Sequence, residues 1–305
     1  MRVLIVGCGY VGLPLGTALA RSGHAVFGLR RSRLAEAALA AAGIEPLHAD
    51  ITQPATLARL PGDFDWVVNC TASGGGSPED YRKTYFDGSR NLLSWLAKSP
   101  PKKFLYTSST GVYAQNDGSV VTEECAAEPE TDTAKVLVAT ENLLLAAAGA
   151  PQSGSPPQGF PAVILRVAGI YGPGRGHWFK QLRRGAARIE GDGARWLNMI
   201  HRDDVVGAII AALRVAPPGE IFNAVDSEPV RQRIFFEWLA AELHRPLPPA
   251  VPEDQSVRLR RAVTNKRVSN AKLRTVLKYK FQFPDFRAGY TAEIARLNRE
   301  GAVES

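Results

Sequence analysis

Short apolar runs alternate with helix-forming segments through the first 170 residues of the chain. Val3–Val6 is an unbroken apolar run, which is typical of a strand buried on both faces. Val11–Arg21 has the apolar, alanine-rich composition of a helix. The alternation continues with predicted strands at Ala25–Leu29, Glu45–His48, Asp65–Cys70, Lys103–Thr107 and Ala162–Val167, and predicted helices at Arg33–Ala42, Pro78–Lys98 and Thr133–Ala148. Repeated βα units predict an α/β fold, namely a doubly wound parallel sheet of the Rossmann type.

Beyond Gly169 the alternation becomes irregular, so a second lobe is expected. Ile221–Val225 has the pattern of one more strand, which we expect to return to the sheet. The predicted division is a dinucleotide-binding domain over residues 1–170, joined by residues 198–225, and a smaller, mixed C-terminal substrate lobe formed by residues 171–197 and 226–305.

The first predicted strand ends in a glycine-rich turn of the form G-x-G-x-x-G. Gly7 allows the tight turn, Gly9 lets the backbone approach a pyrophosphate, and Gly12 lets the following helix pack on the strand. The N-terminus of that helix adds free N–H groups and the positive end of its dipole. We therefore expect this turn, including Tyr10 and Val11, to bind a dinucleotide.

The end of the second predicted strand indicates which dinucleotide is bound. An NAD site places an acidic residue there to accept the ribose 2′-OH. This chain has Arg30 and Arg31 at that point, with Arg33 beyond, and guanidinium groups bind a 2′-phosphate bidentately. The alternative is that these arginines only decorate a helix start, where cations are mildly unfavourable. NADP(H) is therefore favoured over NAD(H), which remains the second choice.

Composition places the chain among ordinary soluble globular proteins. It has 305 residues, of which 45% are apolar and 22% charged, and no apolar run reaches the length of about 18 residues that a membrane span needs. The first apolar segment is only a strand long, so no signal peptide is expected. Cys8, Cys70 and Cys125 match neither a disulfide framework nor a zinc site, which favours a reducing cytoplasm. The five histidines show no metal-ligand spacing, and no metal is expected.

The net charge of +7 is concentrated near the C-terminus. Residues 258–287 contain ten Lys or Arg and one acid, Asp285. Such a tract could hold a phosphorylated ligand or a nucleic acid, but a solvated helical face is the favoured interpretation. We therefore expect a small-molecule substrate and no nucleic-acid or membrane partner.

Several landmarks in order along the chain resemble those of the extended short-chain dehydrogenase/reductases, the NAD-dependent epimerases and dehydratases that act on nucleotide sugars. They are the glycine turn, Asp50-Ile51, Ser108–Tyr113, Leu165-Arg166 with Gly169–Gly174, and Asp203–Val205. The glycine turn departs from the T-G-x-x-G-x-x-G of that family and is most similar to an atypical subgroup with an altered active site. The resemblance implies nucleotide contacts from Asp50, Ile51 and the strand-end residues Thr71, Ala72 and Ser73.

The resemblance breaks down at the active site. Members of that family use a Tyr and a Lys four residues later on one helix, whereas residues 129–137 of this chain contain no tyrosine. One register places Thr131 and Lys135 at the two positions, and the other places Thr133 and Leu137 there. Residues two apart on a helix differ by about 200°, so both pairs cannot face one site. The second register is preferred because Leu137 then continues one face with Thr140 and Leu144.

The usual acid/base pair is therefore missing, and other residues become catalytic candidates. Ser109 stands where the family hydrogen-bonds the reacting oxygen, and Thr133 and Lys135 come from the two registers. Tyr113 is a further candidate, although it belongs to a packing signature of the family. The remaining proton-donor candidates are Tyr81 and Tyr85. Arg175 and Arg195 are the candidates for substrate binding.

Two functions are consistent with these features. The first is an NAD(P)-dependent oxidoreductase or epimerase that acts on a carbonyl or sugar-type substrate, nucleotide sugars included, with non-standard acid/base residues. The second is a catalytically lapsed NADP(H)-binding sensor or regulatory protein. The resemblance also implies a homodimer formed through the helices at Pro78–Lys98 and Thr133–Ala148. Fold likeness alone cannot decide the chemistry.

Overall fold

The computed structural model describes residues 1–148, 159–252 and 264–301. In chain order its strands are β1 Arg2–Val6, β2 Ala25–Arg30, β3 Ile44–His48, β4 Trp66–Asn69, β5 Lys103–Ser109, β6 Val120–Val121, β7 Ala162–Val167, β8 Gly169–Tyr171, β9 Ile189–Glu190, β10 Trp196–Leu197, β11 Met199–His201, β12 Ile221–Ala224, β13 Val230–Arg231, β14 Ala250–Val251 and β15 Arg267–Val268. Its α-helices are α1 Gly12–Arg21, α2 Glu36–Ala41, α3 Pro54–Leu57, α4 Pro78–Tyr81, α5 Gly88–Leu96, α6 Asp132–Ala148, α7 His177–Arg183, α8 Arg202–Val215, α9 Gln232–Glu242, α10 Ala271–Val276 and α11 Phe286–Arg299.

Seven parallel strands form the central sheet, in the order β12-β7-β5-β4-β1-β2-β3. Two apolar clusters cover its two faces, one built around Ile5 and Leu105 and the other around Leu4 and Phe104. The alternate sides of β1 and β5 thus both lie in the core, as the unbroken apolar runs require. The predicted doubly wound α/β fold is confirmed. Strand β12 pairs in parallel with β7, with Ile221 opposite Ile164, so this late segment does return to the sheet.

The structure corrects two predicted helices. The segment at Arg33–Ala42 is a 3₁₀ turn over Arg33–Ala35 followed by α2, because the hydroxyl oxygen of Ser32 accepts the Leu34 N–H and caps the turn. The segment at Pro78–Lys98 is helical but not regular. Between α4 and α5 it contains a π-helical segment over Arg82–Asp87.

Outside the central sheet, the described residues form four two-stranded sheets, β10-β13, β11-β8, β14-β9 and β15-β6, the last of which pairs a C-terminal strand with β6 from the first 170 residues. A third apolar cluster, rich in aromatic side chains, lies in the C-terminal part, and within it the Tyr171 and Tyr290 rings stack with centroids 4.4 Å apart.

The domain boundaries and the homodimer stay predictions. The basic tract at 258–287 lies partly outside the described residues. No helix within the described ranges is both long and apolar enough to cross a bilayer.

A buried ion pair attaches α6 to the sheet. Arg166 on β7 donates from Nη2 to Glu141 Oε2 at 2.7 Å, and the two side chains are only 5% and 2% exposed. At the start of the same helix, the exposed pair of Lys135 and Asp132 is held at 3.1 Å. The buried pair fixes the position of α6, because removing one partner would leave an uncompensated charge in the core.

We expect Glu141→Gln to lower the free energy of unfolding by about 3–5 kcal/mol, because Arg166 then stays buried without a counter-charge. Asp132→Asn on the same helix is the matched control and should change stability little, since exposed pairs contribute little. Urea unfolding of both variants checks this. Equal destabilisation by the two substitutions would contradict it.

Candidate cofactor and active site

A cleft of about 820 Å³ lies at the carboxyl ends of the parallel strands. Open α/β sheets bind their ligands at this edge. Its lining comes from the ends of β1, β2, β4, β5 and β7, from the start of α6 and from the helical segment after β4. Of the predicted site residues it includes Gly7, Gly9, Tyr10, Val11, Arg30, Arg31, Asp50, Ile51, Thr71, Ala72, Ser109, Thr133 and Arg175.

The glycine turn has the geometry that its sequence predicts. Gly7 has φ +81°, and a Cβ built on it would lie 2.6 Å from the Thr71 Cα. A Cβ on Gly9 would meet only the Gly7 carbonyl oxygen, at 3.8 Å, so the space beside Gly9 is open to the cleft. Gly12 does not line the cleft, but a Cβ there would lie 2.9 Å from the same oxygen. The turn therefore fits a pyrophosphate, and Gly12 serves the packing of α1.

Two arginines lie at the end of β2. Arg30 donates from Nη1 to the Cys8 carbonyl oxygen at 3.2 Å, which ties it to the glycine turn. The exposed Arg31 reaches across the cleft toward Gly74. Neither arginine forms an ion pair with an acid in the described part of the chain. Asp50 lines the same end, where Oδ1 accepts the backbone N–H and the hydroxyl of Thr52 at 2.9 and 2.8 Å.

The segment after β4 forms the opposite wall. The Thr71 hydroxyl donates to Asn69 Oδ1 at 2.8 Å, and the fully buried Asn69 donates to the Ser89 hydroxyl at 3.3 Å. Ser73 does not line the cleft itself. Its backbone N–H donates to the Tyr85 hydroxyl at 3.1 Å, so it fixes a side chain that does line the cleft.

At the other end of the cleft lie Ser109, Thr131, Thr133 and Leu137. The Ser109 hydroxyl oxygen accepts the Gly111 N–H at 3.1 Å, and the hydroxyl proton is left to bond a ligand. Lys135 lies outside the cleft. Its side chain is exposed to solvent, and its ammonium group donates a hydrogen bond to Asp132. The two positions of the second register, Thr133 and Leu137, are therefore both in the lining.

Tyr113 also lies outside the cleft. Its fully buried ring packs under the Arg166 guanidinium at 4.8 Å, and its hydroxyl donates to Asn223 Oδ1 at 2.9 Å. Burial raises the pKa of this phenol above its usual range. Lys266 Nζ donates to the Tyr113 carbonyl oxygen at 2.6 Å. Tyr113 therefore bonds a residue of β12 and the residue that precedes β15, which is a packing role.

The two substrate-binding candidates are separated. Arg175 lines the cleft, with its guanidinium 5.0 Å from the centre of the Tyr10 ring. Arg195 lies outside it, 3.3 Å from a Glu190 carboxylate oxygen and 5.4 Å from the centre of the Trp178 ring. Burial lowers the pKa of Arg195, against the opposing effect of Glu190. The partners of Arg195 in the C-terminal part direct it away from the cleft.

The helical segment after β4 contributes three cleft residues, Tyr81, Thr84 and Tyr85. The Tyr81 and Tyr85 rings meet edge to face with centroids 5.0 Å apart. The sequence indicated the two tyrosines as proton-donor candidates but did not predict whether their side chains face the cleft, and it did not identify Thr84. The signal that could have found all three is their i, i+3, i+4 spacing, which places residues on one helix face.

The sequence and the fold of this chain were compared with those of known proteins, and both match proteins of one family. The sequence model of the NAD dependent epimerase/dehydratase family matches residues 3–224. Protein YeeZ of Escherichia coli is 27% identical over 291 residues, covering 93% of this chain and 97% of that protein. A 3-diazoavenalumate denitrifying reductase from Streptomyces is 26% identical over 314 residues, covering 96% and 100%. DesIV of Streptomyces venezuelae, a dTDP-glucose 4,6-dehydratase with bound NAD and TYD, superposes with a TM-score of 0.82 at 20% identity, covering 98% and 97%.

The chain belongs to the NAD dependent epimerase/dehydratase family. This confirms the resemblance drawn from the landmark motifs. The family and its reductase relatives support the first of the two expected functions, an NAD-dependent enzyme. The relatives include both reductases and sugar-nucleotide dehydratases, so the family alone leaves the substrate open. The DesIV comparison supports the fold.

We expect Gly7→Ala to abolish nucleotide binding and to destabilise the protein strongly, because the added Cβ would collide with the Thr71 backbone. Gly23→Ala is the matched control, since Gly23 has nearly the same φ, +82°, and a Cβ there meets nothing within 4 Å. The control carries only the strain of left-handed backbone, about 1–2 kcal/mol, and should bind nucleotide normally. Thermal unfolding with and without NADPH checks both. Retained binding by Gly7→Ala would contradict the close approach.

Proposed function

We propose that this protein is an NADP(H)-dependent oxidoreductase or epimerase that acts on a carbonyl or sugar-type substrate, nucleotide sugars included. One observation carries the proposal. A single cleft joins the glycine turn at one end to the hydroxyls of Ser109 and Thr133 at the other. A dinucleotide bound at the turn therefore has its reactive end within the same space as groups that hydrogen-bond a substrate oxygen.

The preference for NADP(H) is supported by charge at the end of β2. Arg30 and Arg31 line the cleft there, and neither has an acidic partner among the described residues. A 2′-phosphate would supply the missing counter-charge and accept from both guanidinium groups. An adenosine ribose without that phosphate would leave both charges unpaired, which makes NAD(H) the weaker ligand.

When bound, the nicotinamide supplies or accepts a hydride. The residues of this chain hold and orient the partners of that transfer. The hydroxyl of Ser109 donates to the reacting oxygen of the substrate and stabilises the charge that develops on it. Thr131 and Thr133 add further hydroxyls at that end. Arg175 lies in the lining beside Tyr10, where it can bind an anionic group of the substrate.

The second candidate function is that of a catalytically lapsed NADP(H)-binding sensor. It is favoured by Leu137, which lines the cleft at the position where the preferred register expects a lysine. A leucine cannot lower the pKa of a neighbouring hydroxyl, and a threonine hydroxyl is far less acidic than a phenol. Turnover and binding therefore have to be measured separately.

The role of Arg31 is tested by nucleotide titration. We expect Arg31→Ala to weaken NADPH binding about tenfold or more and NADH binding little, because only NADPH offers the phosphate for a charge-assisted hydrogen bond. Arg33→Ala removes an exposed arginine that does not line the cleft, and it should leave both affinities unchanged. Tighter binding of NADH than NADPH by the wild-type protein would refute the preference.

The choice between enzyme and sensor rests on Ser109. With a panel of carbonyl compounds, we expect the wild type to oxidise NADPH and Ser109→Ala to lose about 10²-fold in kcat, since it lacks one donor to the reacting oxygen. Its NADPH affinity should stay normal. Ser94→Ala, on the exposed side of α5, is the control. NADPH binding without turnover of any compound by the wild type would favour the sensor.

A further inference from the structure

Reduction of a carbonyl needs a proton donor within hydrogen-bond reach of the oxygen. Besides its arginines, the described cleft lining contains five side chains with a proton that can dissociate. They are Tyr10, Asp50, Cys70, Tyr81 and Tyr85. Their positions and hydrogen-bond partners separate them into three groups.

Two of the five are engaged at the nucleotide-binding end. The Asp50 carboxylate accepts two hydrogen bonds from Thr52. The Cys70 thiol donates to the carbonyl oxygens of Val6 and Gly7, both at 3.4 Å, beneath the glycine turn. Burial raises the pKa of this thiol well above its usual range. Neither group is placed to protonate a substrate beside Ser109.

Tyr10 belongs to the glycine turn itself. Its ring lies near two guanidinium groups, with Arg175 5.0 Å and Arg202 5.4 Å from its centre. Its hydroxyl is buried and has no hydrogen-bond partner among the described residues. Burial raises the pKa of the phenol to about 12, although the two arginines oppose this. The hydroxyl points into the protein, where a substrate oxygen cannot meet it.

The remaining two are the tyrosines of the helical segment after β4. Tyr81 ends α4 and Tyr85 lies in the π-helical segment, a kind of distortion that is frequent at functional sites. The Tyr85 hydroxyl accepts the Ser73 N–H, and its ring packs on the edge or face of the Tyr81 ring. This segment packs against α6, which carries Thr133 and Leu137.

We propose that the Tyr81 phenol is the proton donor to the substrate oxygen, with the Tyr85 ring holding it in place. Tyr81 is half-buried, and its hydroxyl makes no hydrogen bond to any of the described residues, so it is available to a ligand. It shares the cleft with Ser109 and Thr133. The inference rests on the proposed function, because it needs a dinucleotide in that cleft.

In the reducing direction, the carbonyl carbon receives a hydride with its electron pair from the reduced nicotinamide. The carbonyl oxygen takes the phenolic proton of Tyr81 and becomes a hydroxyl. The resulting phenolate recovers a proton from water through the open cleft. The substrate gains one hydride and one proton, the hydride donor is oxidised by two electrons, and the proton drawn from water leaves hydroxide in the solvent, so atoms and charge balance.

The experiment follows tyrosine ionisation by its phenolate absorbance, in the free protein and with saturating NADP⁺. A phenol beside the cationic nicotinamide should ionise at lower pH when the nucleotide is bound, by about one unit, because a nearby positive charge favours the phenolate. The wild type and Tyr85→Phe should both show this shift. Tyr81→Phe should lose it while binding NADP⁺ with unchanged affinity.

The outcomes separate this inference from the proposed function. If NADP⁺ and NAD⁺ fail to bind, both are overturned. If NADP⁺ binds and the wild type shows no shift, the assignment of Tyr81 is overturned and the function stands. A shift that survives in Tyr81→Phe, or that disappears equally in both variants, also overturns it. Circular dichroism of both Phe variants shows that they fold.

Discussion

The close approach of Gly7 to the Thr71 backbone is the contact on which the cleft depends. It brings together the ends of β1 and β4, two neighbouring parallel strands, with no side chain between them. Gly12 lets α1 begin directly above the same turn. A bulkier turn would push α1 from the sheet and close the space beside Gly9 that suits a diphosphate. The phosphate site is thus produced by backbone packing, before any charged side chain takes part.

A buried ion pair one turn beyond the cleft-lining Leu137 holds helix α6 on the sheet. Glu141 pairs with Arg166 in the core, and Arg166 in turn covers the ring of Tyr113. These buried groups fix the rotation of the helix, which determines that Thr133 and Leu137 face the cleft. Leu137 is also part of the buried apolar core, so this residue serves both the packing of the helix and the lining of the cleft.

Local pattern was enough to predict the parallel strands, the glycine turn and the two faces of α6, because each follows from periodicity within one element. The directions of Lys135, Tyr113 and Arg195 were not predictable in this way. Their side chains follow partners that only the folded chain supplies, such as Asn223 for Tyr113 and Glu190 for Arg195. The resemblance to a family drew attention to these residues, but their own neighbours decide whether they reach the cleft.

The π-helical segment at Arg82–Asp87 sets the rotation of α4 relative to α5, and so determines whether Tyr81 faces the cleft. Each i→i+5 hydrogen bond in it spans one residue more than the i→i+4 hydrogen bond of an α-helix. Deleting one residue there would restore a regular helix and rotate everything before it by about 100° relative to α5. Tyr81 would then turn away while the apolar face of α5 stayed in register with the core. A single-codon deletion at this point would thus change which side chains of this segment line the cleft.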